Sequence, residues 1–215
     1  MPKSERSKVE VEGFEAKYYD QMMWILTLGQ YQRLIRRAAK DTGVKLGDHV
    51  LEFGCGTGIA AVEFAKLIGN GGRYVGLDVS EIMLEKARKK CRDFNNFKFL
   101  NMRIEEHLPF ENEFDVGFMS FVFHGLEMPD RIAVLRNAFK ALKDGGRMCI
   151  FDYAHFDVEK SPFPVKYFIL NIECPLAAEF IALDLKDLFE SVGFTDYTEK
   201  LYAKGYLRLA CGSKR

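Results

Sequence analysis

The chain has 215 residues, 48% of them apolar, enough to bury about 70% of the unfolded surface in one domain, with no sign of disorder. Lysine plus arginine equals aspartate plus glutamate, 31 of each; such a chain has no global field to gather polyanions, so nucleic acid and anionic membrane surfaces are not expected partners. The five cysteines are odd in number and include no CxxC pair, so neither a disulfide framework nor a metal site is expected, and they read as small buried hydrophobes.

Residues 1–11 form a polar leader. No apolar run follows it, and none elsewhere reaches the ~20 residues of a membrane span, so no signal peptide or span is expected and a reducing cytoplasm is the default. Between Tyr18 and Lys40, Trp24, Leu28, Tyr31, Ile35 and Ala38 fall at helical spacing and predict an amphipathic helix, ended by Thr42-Gly43. Its basic cluster, Arg33, Arg36, Arg37 and Lys40, reads as the solvated face. Strands and helices then alternate. Strands are predicted at 49–53, 73–78, 97–102, 114–120 and 147–152. Helices are predicted from the glycine cluster to Ile68, from an N-cap at Ser80 through Arg92, and at 131–142, where Asp144-Gly145-Gly146 stops the last of them. Residues 154–180, with Pro162, Pro164, Pro175 and many aromatics, fit no single regular element. A helix around Leu185–Val192 closed by Gly193 and a hairpin of 195–202 with 206–211 complete the chain.

Short strands joined by helices pair in parallel and are covered on both faces. Ligands of such sheets bind beyond the carboxyl ends of the strands, which directs attention to the loops after Phe53, Asp78, Met102, Ser120 and Asp152. A single domain over 1–215 is expected. It comprises a helical cap at about 14–44, a core at about 45–152, an insertion at about 153–181 and a C-terminal helix and hairpin at about 182–215.

The central signal is Val50-Leu51-Glu52-Phe53-Gly54-Cys55-Gly56-Thr57-Gly58. A strand ends, the chain turns on residues without a Cβ, and a helix begins, so a ligand can approach the backbone closely. The spacing is G-x-G-x-G rather than the G-x-G-x-x-G of dinucleotide dehydrogenases. Glu52 just before the first glycine would repel a pyrophosphate but can accept hydrogen bonds from an ammonium group. S-adenosylmethionine has no phosphate, a zwitterionic tail and a sulfonium cation, and suits this loop better. Asp78, ending the second strand in Leu77-Asp78-Val79-Ser80, can accept from both hydroxyls of a ribose; alternatively it serves the electrostatics of the following helix.

With Met83-Leu84, Leu108-Pro109-Phe110, Phe114-Asp115-Val116, Ser120-Phe121-Val122-Phe123-His124 and Leu142-Lys143-Asp144-Gly145-Gly146 following in order, the chain resembles the class I S-adenosylmethionine-dependent methyltransferases. The likeness is to the branch that includes the ubiquinone/menaquinone-biosynthesis enzymes, and it covers residues 45–152. It implies an α/β, Rossmann-like doubly wound, mostly parallel seven-stranded sheet with a C-terminal antiparallel hairpin and an N-terminal helical cap. By the same resemblance, Glu52 and the backbone of Gly54 and Gly56 hold the methionine moiety, within a turn that also includes Cys55 and Gly58. Asp78 holds the ribose, Val79 and Met83 line the adenine, Ser120 lines the far side, and Tyr19 closes over the cofactor. Relatives carry an aspartate shortly before Leu-Pro-Phe; here Ile104 stands in its place, so adenine recognition falls to backbone groups or to Glu105.

Methyl transfer from a sulfonium is an in-line displacement in which the protein supplies alignment and a dry site. A base is needed only for a hydroxyl or an activated carbon, and His124 is the candidate, with a structural histidine as the alternative. Tyr153 and His155 are secondary candidates, Asp152 a loop-ordering carboxylate, and Cys55 filler. Phe156, Phe163, Tyr167, Phe168 and Phe180 suggest either an apolar or flat small-molecule acceptor or merely the insertion's own core. A non-catalytic binding protein of the same fold and a nicotinamide-dependent oxidoreductase are the competing accounts. No metal is expected, and nothing in the sequence indicates an oligomeric state.

Overall fold

The computed structural model of the chain describes residues 29–215. Tyr19 and the first part of the expected N-terminal helix lie outside them. Strands β1 (His49–Phe53), β2 (Arg73–Asp78), β3 (Phe97–Asn101), β4 (Phe114–Ser120), β5 (Leu142–Tyr153), β6 (Thr195–Tyr202) and β7 (Leu207–Ser213) form one sheet in the order β3-β2-β1-β4-β5-β7-β6. Strands β1 to β5 pair in parallel, and β7 runs antiparallel to both of its neighbours. The helices are α1 (Tyr31–Asp41), α2 (Ile59–Ile68), α3 (Glu81–Lys90), α4 (Met128–Ala141), α5 (Phe163–Asn171), α6 (Leu176–Ile181) and α7 (Leu185–Val192). Among the described residues, no helix is long and apolar enough to cross a membrane.

The central strands are apolar along their length because both faces are covered. Leu51 and Phe53 of β1 face a cluster with Val134, Leu135 and Ala138 of α4 and Phe189 of α7. Val50, pointing to the opposite face, meets Ile35 of α1, Phe64 of α2 and Leu84 of α3. Strand β1 pairs with β2 on one side and β4 on the other. That reversal of winding opens a crevice at the carboxyl ends of these strands, where the loops after Phe53, Asp78 and Ser120 meet.

Several local expectations are revised. Helix α4 ends at Ala141 and Leu142 is already extended, so Asp144-Gly145-Gly146 does not stop the helix; Gly145, at φ +80, instead kinks the entry to β5. Ser80 occupies the N-cap of α3 without a side-chain bond; the Asp78 side chain takes the Ser80 N–H instead, at 2.9 Å. Residues 154–180 form no single element, as expected, and their prolines start two helices, as an amide lacking N–H can do without loss. Pro162 is the N-cap of α5, Pro164 sits in its first turn, and Pro175 is the N-cap of α6.

The cysteines divide. Cys55, Cys91 and Cys174 are buried free thiols, as expected. Cys149 of β5 and Cys211 of β7 stand opposite one another in register and form a disulfide across 62 residues. This corrects the expectation of no disulfide: an odd count and the lack of a CxxC pair carry no information about partners that sheet pairing brings together.

Candidate active site

The glycine turn is built from three glycines used differently. Gly54, Gly56 and Gly58 have φ of +75, +50 and +76, where a Cβ is disfavoured. The N–H groups of Gly54 and Cys55 both donate to the Leu77 carbonyl, at 2.9 and 2.8 Å, and tie the turn to β2. A Cβ on Gly54 would lie 2.7 Å from Val122 Cγ2, and one on Gly58 would lie 3.1 Å from the Ala87 Cα, so packing demands glycine at both. A Cβ on Gly56 would meet nothing within 4 Å. Its open side is a place where another molecule can approach the backbone.

Asp78 joins this turn to β2. Its Oδ2 accepts the Gly56 N–H at 2.8 Å and its Oδ1 the Ser80 N–H at 2.9 Å. The side chain thus orders the start of α3, as the second reading has it, and also reaches the glycine turn. Burial pushes its carboxyl up, against the backbone amides of Ser80, Gly56 and Val79 that favour the charge. A carboxylate has about four acceptor positions, so capacity remains for a ligand's hydroxyls.

Glu52 is buried and its Oε2 accepts from the Tyr74 hydroxyl. Burial, with the nearby negative charge of Asp78, pushes its carboxyl up to about 8 against that bond. The Asp78 charge is felt at Glu52, one strand away on β1. A cation arriving there would relieve the repulsion. Cys55 is buried and fills the space that Gly76 leaves, since a Cβ on Gly76 would lie 2.9 Å from its Sγ; burial pushes its thiol well up. It is filler.

Of the remaining expected cofactor residues, Met83 is buried on α3 and Val79 is half-buried beside it. Ser120 is half-buried at the end of β4. Ile104 is buried in the apolar cluster under α4, and its carbonyl accepts from Asn137 Nδ2 at 2.8 Å. Glu105 receives Arg103 Nε at 2.8 Å.

A second constellation lies beyond β4 and β5. His124 sits in a short 3-10 turn, Phe123–Gly125, with Nδ1 2.8 Å from Asp152 Oδ1 and its backbone N–H donating to Asp152 Oδ2 at 3.1 Å. Nε2 is 3.5 Å from Glu173 Oε1, and the Tyr153 hydroxyl donates to Glu173 Oε2. Burial would lower the imidazole's pKa, but the Asp152 charge and bonds to Asp152, Cys174 and Glu173 outweigh it and hold the ring well above its ordinary value, as an imidazolium. Glu173 responds in kind: burial raises it, but His124 and the Tyr153 hydroxyl bring it down to about 2. In this state His124 has no lone pair with which to accept a proton.

Arg131, fully buried, fixes the turn from α4. It donates to the carbonyls of Phe123 at 3.2 Å and His124 at 3.1 Å, and to Glu179 at 3.3 Å. His155 is exposed, its Nδ1 3.0 Å from the Ile181 carbonyl. Phe180 is buried against Phe123 and His124, whereas Phe163 and Tyr167 are 77% and 50% exposed. The insertion's aromatics thus form a partial wall.

Sequence reasoning missed Glu173, Arg131 and the φ of +53 at Phe121. Glu173 and Arg131 sit in no motif; Glu173 is far from His124 in sequence, and Arg131 acts mainly through nearby backbone carbonyls, which leave no sequence signal. The strained Phe121 turns the chain from β4 into the His124 loop, its ring against Tyr31, Phe151 and Tyr153; backbone strain of this sort gathers at functional sites. Although no metal was expected, His124, Glu173 and Cys174 each offer one ligand atom, all within 4.8 Å of one another. Here the His124 ring lies between Asp152 and Glu173.

The sequence pattern of the ubiE/COQ5 methyltransferase family matches residues 3–201. A demethylmenaquinone methyltransferase of Lactobacillus johnsonii is 33% identical over 140 residues, 64% of this chain, and the chain spans just over half the length of that relative, 57%. The Staphylococcus aureus protein of the same name is 28% identical over 93% of this chain and 89% of its own. In fold, the chain is similar to an S-adenosylmethionine-dependent methyltransferase of Aquifex aeolicus, with a TM-score of 0.62 and 24% identity over 83% of this chain and 88% of that one. A pattern that runs through both the glycine turn and the His124 loop sets aside the dehydrogenase account: the chain belongs to the ubiE/COQ5 methyltransferase family, whose methyl donor is S-adenosylmethionine.

Proposed function

We propose that this chain transfers a methyl group from S-adenosylmethionine to a flat, quinol-type small molecule. The observation that carries the donor half is the bond from the Gly56 N–H to Asp78 at 2.8 Å beside the open Cβ direction of Gly56. It makes the glycine turn and the acid of β2 one cradle. In it, Glu52 and the backbone of Gly54 and Gly56 face the methionine end, and Asp78 accepts from the ribose. Gly58 starts α2. Val79 and Met83 offer apolar surface to the adenine, and Ser120 lines the opposite side. Glu105 is engaged by Arg103 and Ile104 is apolar, so adenine recognition rests on apolar contact and backbone groups. When bound, the cofactor supplies an activated methyl group; the chain's residues align it and exclude water.

The acceptor half rests on the aromatic surroundings of His124, where Tyr153 and Phe180 lie 5.0 and 6.4 Å from the imidazole. Two similar proteins are named for demethylmenaquinone, and these names together with the aromatic surroundings support a quinol-type acceptor. The test is incubation with S-adenosylmethionine and a naphthoquinol, with mass spectrometry of the product. Gain of one methyl group is expected. Cofactor binding without a methylated quinol would discard the acceptor, and failure to bind the cofactor by calorimetry would discard the donor site and favour the non-catalytic account.

A further inference from the structure

In the His124 cluster a buried imidazolium lies between two carboxylates of different standing. Asp152 belongs to the sheet, is fully buried, and is bonded to the His124 N–H, the His124 Nδ1 and the Tyr153 N–H. Glu173 belongs to the connection between α5 and α6, its side chain is 20% exposed, and its 3.5 Å approach to Nε2 is the longer of the two. One imidazolium needs one counter-charge, and Asp152 supplies it. The second carboxylate, on the insertion, is surplus to that need.

The other groups facing the imidazole are Tyr153 from β5, Phe180 from α6 and Cys174 beside Glu173. Arg131 from α4 bonds the His124 carbonyl rather than the ring, and pairs with Glu179 of α6. Glu173 itself accepts from the Tyr153 hydroxyl and, at 3.0 Å, from the Cys174 N–H, so the position it fills beside Nε2 is an anion site next to the rings that pack on His124.

We propose that the Glu173 carboxylate is a stand-in for the acceptor: an aromatic hydroxyl, bound as its anion, displaces Glu173 from His124 Nε2, and this exchange selects rings that carry an acidic hydroxyl. The proposal rests on the acceptor reading above and deepens it. Exchange of one singly charged oxygen anion for another leaves the buried charge unchanged, so no ion is left unpaired out of water. The hydroxyl's proton leaves to solvent, and the freed carboxylate turns to water at the exposed edge of the insertion. An aromatic oxyanion held at Nε2 enriches its ring carbons in electron density, the property a carbon acceptor needs toward a sulfonium methyl group. His124 acts in this scheme as an anion holder, and Glu173 as a positioning and selecting residue.

The test uses the full chain and two probes of one shape, 1-naphthol and naphthalene, whose binding is measured by calorimetry in two buffers of different ionisation enthalpy. For wild type, 1-naphthol is expected to release about one proton to the buffer at neutral pH and naphthalene none. Glu173→Gln replaces a charge-assisted partner of Nε2 by a neutral one and is expected to bind 1-naphthol about tenfold tighter, with naphthalene unchanged. Glu173→Asp keeps the charge but withdraws it by one methylene, and is expected to tighten 1-naphthol as well; it carries the test should the Gln variant fail to fold. Equal changes for both probes, no tightening in a folded variant, or no proton release in wild type would overturn the proposal. These readouts need no methyl transfer. A chain that shows the naphthol exchange but methylates no quinol would lose the acceptor reading and keep this site, and the reverse pattern would do the opposite.

Discussion

Asp78 is the residue whose role is most sharply testable. If it accepts both ribose hydroxyls in addition to the amides of Gly56 and Ser80, Asp78→Ala should weaken S-adenosylmethionine binding by about 1–3 kcal/mol in calorimetry; an unchanged dissociation constant removes it from the site. Glu52 adds a pH dependence. Its carboxyl titrates at about 8 in the folded chain against an ordinary 4.5, so between those values the folded form holds more protons than the unfolded one. The stability it contributes is then complete below pH 4.5 and is lost as pH rises through about 8. Urea midpoints of the cofactor-free chain should fall between about pH 4.5 and pH 8, and Glu52→Gln, which stays neutral, should flatten that fall. A fall of the same size in the variant would place its origin elsewhere. Both acids were legible in the sequence because each stands in a short local motif at a strand end. Glu173 was not, because what makes it matter is a contact to His124 across the insertion.

At the scale of the element, the glycine turn separates folding from binding. Gly58→Ala forces a Cβ into left-handed backbone and to within 3.1 Å of the Ala87 backbone, so it should cost stability, by at least about 1–2 kcal/mol. Gly56→Ala meets the same backbone penalty but open space. Its signature should be a cofactor dissociation constant raised more than about tenfold, a larger loss than its urea midpoint alone explains. Equal losses of binding and stability at both positions would mean that Gly56 is only a turn residue. Strand and helix identities from β1 to β4 were readable from apolar runs and turn residues, with ends displaced by a residue or two. The entry to β5 was misread because Gly145-Gly146 suits a helix stop as well as a kinked strand. The insertion fits no single element, as its prolines indicated, but its two helices were not legible, because Pro162, Pro164 and Pro175 each lie in a position where a helix begins.

For the whole molecule, the order β3-β2-β1-β4-β5-β7-β6 sets both candidate constellations beyond the carboxyl ends of the parallel strands: the donor cradle after β1 and β2, the His124 cluster after β4 and β5. Strand β7 inserts between β5 and β6, and the Cys149–Cys211 bond ties it to the strand that carries Asp152 and Tyr153. Nothing in the spacing of the cysteines announced this tie, since it follows from register alone. Its consequences are countable. Denatured without reductant, the chain should expose three reactive thiols, Cys55, Cys91 and Cys174, and all five of its cysteines once reduced. Closing a loop of 62 residues removes denatured-state entropy worth up to about 4 kcal/mol, so reductant should lower the urea midpoint. The paired strands stay hydrogen-bonded in the reduced chain, so its far-ultraviolet circular dichroism should be retained in the absence of denaturant. Five reactive thiols before reduction, or a midpoint indifferent to reductant, would show that β5 and β7 are held together by backbone hydrogen bonds and packing alone.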